Sequence, residues 1–217
     1  MPTLTHHDKI AVLDLGGGEN RFSPDFLDQV NAHLDTALAE GAQGLVTTAS
    51  GKFYSNGLDL DWLGANGDRA DWYVGRVHAL FARVLTLPVP TAAALPGHAF
   101  GAGAMLAIAH DYRVMRADRG FFCFPEADIR IPFTPGMAAL IQAKLTPKSA
   151  IASMTTGRRF GGEDAAAFDL VDAAVPEDQV TSTALELLAP LGGKDQATLG
   201  AIKNTMFAPA VKALTGA

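Results

Sequence analysis

Cysteine is almost missing from this chain of 217 residues: there is one, Cys123. A single thiol excludes an internal disulfide framework and any multi-cysteine zinc site, and it suits a reducing compartment, so a cytoplasmic setting is expected. Charge is also sparse. Asp, Glu, Lys and Arg make up 18% of the residues, against about 25% in an ordinary soluble domain, which points to surface buried in an oligomer. With a net charge of −6, there is no positive field to gather nucleic acid or an anionic membrane. Long apolar runs are missing too. The most apolar stretch, Ala92 to Ala109, is broken by Pro96, Gly97, His98, Gly101 and Gly103, whereas a spanning helix needs roughly 20 unbroken apolar residues. A buried strand, a turn and the start of a buried helix fit it better. The polar stretch Met1 to Asp8 has no apolar centre of a secretory signal, and the last three residues are no peroxisomal address of the Ser-Lys-Leu type.

What is present is 48% hydrophobic residue, enough to build one sizeable core. Ile10 to Leu15 reads as a buried strand. It runs into Gly16-Gly17-Gly18 and then Ser23-Pro24-Asp25, a cap, a first-turn proline and an acid at the positive end of a helix. Phe26, Val30, Leu34 and Leu38 give that helix one apolar stripe. Leu45–Thr48, Thr91–Leu95, Tyr112–Met115 and Phe121–Phe124 read as further strands, and Asp71 to about Leu87 as a helix ended by Pro88 and Pro90. After Pro135 the pattern is helical: Gly136–Leu145, Pro147–Thr155, Glu163–Phe168, Glu177–Leu188 and Thr198–Leu214. Strands first and helices last indicate an α/β core with a helical appendage.

Most familiar chemical motifs fail. A dinucleotide loop after the first strand would need glycine where Arg21 stands. A phosphate loop would need glycine at Val46 or Leu188, and no Gly-x-Ser-x-Gly elbow exists. The six histidines lack metal-protease spacing. His6-His7 is expected in a mobile end, His33 and His78 in ordinary helical roles, and no metal site is expected. Cys123, inside Phe121-Phe122-Cys123-Phe124, reads as a small buried hydrophobe.

Three features stand apart. Gly51 to Leu60 and Pro96 to Leu106 are glycine-rich where no simple hairpin is needed. The second puts small residues at a helix start, where free N–H groups could face a developing negative oxygen; close backbone packing would use the same residues. The third is Glu126, a lone carboxylate in an apolar run. Burial would raise its pKa and make it a proton acceptor near neutrality, whereas a partner such as Arg130, or open water, would leave it ordinary.

Taken together these stretches resemble the crotonase family, the enoyl-CoA hydratases and isomerases, from Ile10 to about Pro176. The match is carried by Gly51–Leu60, Pro88–Ala109, His110-Asp111-Tyr112-Arg113-Val114, Pro125-Glu126, and Thr156-Gly157-Arg158-Arg159 running to Leu170-Val171. The resemblance implies an α/β spiral of β-β-α turns over residues 1–175. It also implies a shortened C-terminal helical region, residues 176–217, at subunit contacts in a homo-oligomer, a trimer or hexamer. It implies an acyl-CoA thioester substrate, with CoA entering only as part of that substrate and no other cofactor.

In that family two backbone amides hold the thioester oxygen, and these positions fall on Leu58 and Ala102. The middle glycine of the usual triplet is here Ala102, tolerable if the backbone there does not need positive φ. Ser55, Asn56, Gly57, Phe100, Gly101 and Met105 are expected around the acyl and CoA pocket. Hydratases of the family resemble one another in using two glutamates. The first falls on Met105 and the second on Glu126, so hydration should be weak. A single glutamate is similar to the Δ3,Δ2-enoyl-CoA isomerases, in which it would shuttle a proton from C2 to C4. Other reactions of the fold remain alternatives: hydration, thioester hydrolysis, decarboxylation or acyl-CoA binding without catalysis. Where relatives carry a basic residue after the first loop, Asp61 stands, leaving Lys203, Lys212 or Arg158 as candidates for the CoA phosphates.

Overall fold

A computed structural model describes residues 1–216. The strands are β1 (Thr3–His7), β2 (Ile10–Asp14), β3 (Gly44–Thr48), β4 (Phe53–Ser55), β5 (Thr91–Leu95), β6 (His98–Phe100), β7 (Tyr112–Arg116), β8 (Phe122–Cys123) and β9 (Ala173–Val175). The first helices are α1 (Pro24–Ala39), α2 (Leu60–Ala65), α3 (Ala70–Leu85), α4 (Ala102–Ala109), α5 (Glu126–Ile129) and α6 (Pro135–Lys144). They are followed by α7 (Pro147–Met154), α8 (Gly162–Ala167), α9 (Val180–Leu188), α10 (Gln196–Met206) and α11 (Ala208–Thr215).

A six-stranded sheet runs β1-β2-β3-β5-β7-β9, and a three-stranded sheet runs β4-β6-β8. Among the strand pairs of the described residues only β1–β2 is antiparallel. After the β1–β2 pair, each of β3–β4, β5–β6 and β7–β8 lays one strand in the large sheet and the next in the small one before the chain returns by helices. This is the spiral that the resemblance implies. Every residue of β3 and β5 is buried, as expected of parallel strands covered on both faces. The alanines of β5 let helices approach closely. One face of the large sheet carries Leu13, Leu45, Ala93 and Leu95 into the main core with α1, α3 and α4. The other carries Ile10, Val46, Ala92, Ala94 and Val114 against Val180, Ala184 and Leu188 of α9.

Local signals explain most element ends. The Ser23 hydroxyl accepts from the Phe26 amide at the start of α1, and Thr134 and Thr146 cap α6 and α7 in the same way. All eight residues of α4 are buried, so it is apolar all round. His78 is held between α3, α6 and α11: its Nδ1 donates to the Leu214 carbonyl (3.2 Å) and its Nε2 accepts from the Thr134 hydroxyl (2.9 Å).

Several expectations need correction. His6 and His7 are in no mobile end; they pair with Ala11 and Ile10 in β1, across a turn whose Asp8 takes φ 52°. Thr198–Leu214 is two helices, because Pro209 in the first turn of α11 has no N–H to continue α10. The Phe121–Phe124 strand shrinks to Phe122–Cys123. There Phe122 bridges to Phe160 from outside the small sheet, and Pro125 follows with no amide to extend the ladder. The helix expected from Glu177 opens as a 3-10 turn, and β9 falls in a stretch too short and too alanine-rich to signal a strand.

Candidate active site

Two loops of the spiral meet over the buried start of α4. The first is fixed from below. Asn20 donates through Nδ2 to the carbonyls of Gly16 (2.9 Å) and Tyr54 (3.0 Å), and the Ser55 hydroxyl donates to the Asn20 carbonyl (2.8 Å) while accepting from the Gly57 amide (3.1 Å). Gly57 then takes φ +80°, and a Cβ there would lie 2.8 Å from the Phe100 oxygen and 3.0 Å from the Ala102 nitrogen. Only glycine lets the loop sit on the helix start this closely. On the far side the Asp59 amide donates to the Tyr73 hydroxyl (2.9 Å), and the Asp59 carboxylate caps α2 through Trp62 N–H.

In the second loop the positive φ falls on Gly101 (+51°), and Ala102 is free of it. The Gly101 amide donates to the Cys123 carbonyl, and its oxygen accepts from the Met105 amide. Among the described residues, neither the Leu58 nor the Ala102 amide has a hydrogen-bond partner. The Ala102 N–H is thus free at a helix N-terminus, where the dipole favours negative charge, and the free Leu58 N–H follows the Gly57 that is pressed against it.

Both belong to the wall of a cavity of about 380 Å³ shared with Asn56, Phe100, Gly101, Met105 and Glu126. Ser55 and Gly57, expected in the wall, are not part of it. Ser55 is fully buried beneath the loop, and Gly57 is pressed against the backbone of residues 100–102. The wall also contains Asp61, noted from sequence where relatives carry a basic residue, and residues to which the sequence assigned no role: Arg21, Leu60, Ile129, Ile131, Met137 and Arg159. Arg21 comes from the loop before α1 and is gripped by Glu19 (2.5 Å) and Asp61 (2.6 Å). Arg159 lies over the Phe100 ring and, among the described residues, pairs with no carboxylate. Each arrives from a distant turn of the spiral, so no local pattern marks it.

Glu126 opens α5 behind Pro125. Its Oε1 lies 3.6 Å from where a Gly101 Cβ would be, and its buried Oε2 has no hydrogen-bond partner among the described residues. Burial lifts its pKa to about 7, opposed only by its own backbone amide. Arg130 does not pair with it; that residue ends α5 in the left-handed region. Cys123 is buried, donates to the Gly157 carbonyl (3.3 Å), and has its thiol pushed up to about 11 by burial. It is no thiolate nucleophile.

Of the basic residues considered for the phosphates, Lys203 is excluded. It is 5% exposed, with its ammonium on Asp111 (2.5 Å) and the Val89 carbonyl (2.9 Å). Arg158 pairs with Asp164 (2.7 Å) and stacks on Phe160 and Phe168.

The chain matches the family described as enoyl-CoA hydratase/isomerase over residues 7–217. It belongs to that family. The member is an enzyme with the crotonase fold. Its relatives include the peroxisomal enoyl-CoA delta isomerase 2 of Arabidopsis thaliana, 37% identical over 190 residues that cover 82% of this chain and 79% of that one. Enoyl-CoA delta isomerase 3 of the same plant is 39% identical over 187 residues, 80% and 76% of the two chains. Among solved structures, the apo enoyl-CoA isomerase of Mycobacterium tuberculosis superposes with a TM-score of 0.91 at 27% identity, covering 99% of this chain and 94% of that one. Among the described residues no helix is long and apolar enough to cross a membrane.

Proposed function

We propose that this family member is a Δ3,Δ2-enoyl-CoA isomerase working with one carboxylate. The observation that carries the reading is Glu126: a carboxyl with an unpartnered oxygen, in the same cavity wall as the Leu58 and Ala102 amides. The names of the Arabidopsis relatives support it. The thioester oxygen of a 3-enoyl-CoA sits between the two amides. Ionised Glu126 takes a proton from C2, the electrons spread into a dienolate, and Glu126 returns the proton at C4, leaving the double bond conjugated. Each amide stabilises the oxyanion by about 3 kcal/mol, by analogy with a single oxyanion-hole donor. A pKa near 7 suits one group that must both accept and donate.

Met105, 1% exposed, stands where a second acid would orient water, so hydration is slow and the apolar wall keeps the dienolate dry. A proton shuttle of this kind needs no resident metal or redox group, and CoA enters as part of the substrate. A trimer or hexamer in a reducing, cytoplasmic setting completes the reading.

Absorbance of the conjugated thioester on adding a 3-enoyl-CoA tests it. Wild-type protein should conjugate rapidly, Glu126→Gln should be slower by several orders of magnitude, and wild-type kcat/KM should rise with pH through about 7. Folded protein that binds acyl-CoA without conjugating it would move the assignment to hydrolysis, decarboxylation or binding.

A further inference from the structure

The wall of the cavity changes character with depth. Its exposed members, Leu60, Asp61, Ile129, Ile131 and Arg159, mark the mouth. Its buried members Met105, Cys123 and Met137 mark the deep end, which is apolar. What stands behind that end is packed solid. Met105 belongs to α4, every residue of which is buried. Met137 lies in the first turn of α6, and α6 has no room to draw back. A Cβ on Gly136 would lie 2.8 Å from the Ala213 oxygen and 2.9 Å from the Leu214 Cα, so the start of α6 is seated on the backbone of α11. The Thr134 hydroxyl accepts from the Met137 amide (3.2 Å), and His78 ties Thr134 to the Leu214 carbonyl.

We propose that Met105 and Met137 are the floor of the acyl site and limit the substrate to short and medium chains, up to about eight carbons at the size set by the cavity. The inference rests on the acyl-CoA reading above and adds a chain length to it.

Direction comes first. CoA carries phosphates, and burying charge costs far more than burying hydrocarbon gains. The nucleotide therefore stays at the open, partly charged mouth, and the acyl tail points to the apolar end. Volume then sets the length. The cavity of about 380 Å³ holds on the order of a dozen groups the size of a methylene or a water, at about 30 Å³ each. The thioester sulfur, its carbonyl oxygen and the two adjoining carbons of the CoA arm take about four of those places, which leaves about eight for acyl carbons. Methionine suits such a floor, because an unbranched thioether fills an irregular gap below tails of different length.

The test is the affinity of saturated acyl-CoA thioesters from butyryl to dodecanoyl, by calorimetry, beside kcat/KM for 3-hexenoyl- and 3-dodecenoyl-CoA. Wild-type affinity should tighten about fourfold with each methylene up to octanoyl and then level off or fall. Met137→Ala and Met105→Ala each deepen the floor by about three heavy atoms, and each should raise the dodecenoyl-to-hexenoyl ratio of kcat/KM by about tenfold or more. Urea melts show whether each variant is folded; the wild-type affinity profile decides alone if neither is. An affinity that climbs unbroken to dodecanoyl overturns the proposal. So does a ratio unmoved by both alanine variants but cut by Ile131→Ser, which would lay the tail along the mouth. Conjugation is scored apart from binding. A length limit in affinity without conjugation would sink the isomerase reading and keep the floor, and equal conjugation of all lengths would do the reverse.

Discussion

Glu126 carries opposite demands in one side chain. Burial raises its pKa from the usual carboxylate value of 4.5 to about 7, so the folded protein holds that proton more tightly than the unfolded chain. The resulting stability is complete below the unfolded value and lost as pH rises through about 7, on the order of 3 kcal/mol in all. Glu126→Gln removes the ionisation. The variant should melt close to wild type at pH 4 and several degrees above it at pH 8, as thermal unfolding at the two pH values would show. Gly57 is constrained in the other direction. Gly57→Ala forces a non-glycine residue to φ +80° and puts a methyl 2.8 Å from the Phe100 oxygen, a strain of about 1–3 kcal/mol. Because the strain falls between the two free amides, the loss in kcat should exceed what the shift in melting temperature accounts for. At this scale the sequence was informative wherever a residue is odd for its surroundings: an acid among phenylalanines, glycines where no turn is due. It assigned no place in the site to Arg21 or Arg159, whose side chains are ordinary and whose position is set by the spiral. It pointed the wrong way for Lys203, since a lysine on a helix reads as surface until its carboxylate partner, far off in the chain, is brought to it.

The short helix α2 has no buried residue, so its own packing does not hold it. What fixes the loop leading into it is the Tyr73 hydroxyl of α3, fully buried, with its pKa pushed up to about 12 by burial, accepting from the Asp59 amide next to Leu58. Tyr73→Phe leaves that amide unpaired. It should cost about 1 kcal/mol of stability and lower kcat with little change in KM; restored hydrogen bonding in the wild type is the reference. Steady-state kinetics beside a urea melt separate the two effects. Element boundaries were legible where a cap or a proline sits at the joint, as at Ser23, Thr134 and Thr146. The missed elements are those whose stability is borrowed. β1 is polar, with four of its five residues exposed, and exists because β2 offers it a ladder. β9, with three half-buried residues, is recruited by β7.

The whole molecule is closed by its last third. Lys203 fastens α10 to Asp111 at the foot of β7, and Lys203→Met strands a half-buried carboxylate, a loss of about 3–5 kcal/mol that should appear as a lower urea midpoint with an unchanged slope. The spiral itself has a temporal meaning. In the large sheet, strand order follows chain order from β1 to β9, so each new strand docks on one already synthesised, and the sheet lengthens from one side as the chain leaves the ribosome. Its second face, lined by Ile10, Val46, Ala92, Ala94 and Val114, gains its helical cover only when Val180, Ala184 and Leu188 arrive. A chain interrupted between β7 and α9 therefore carries a nearly finished sheet with one greasy side bare, the form most readily seized by chaperones or by its own kind.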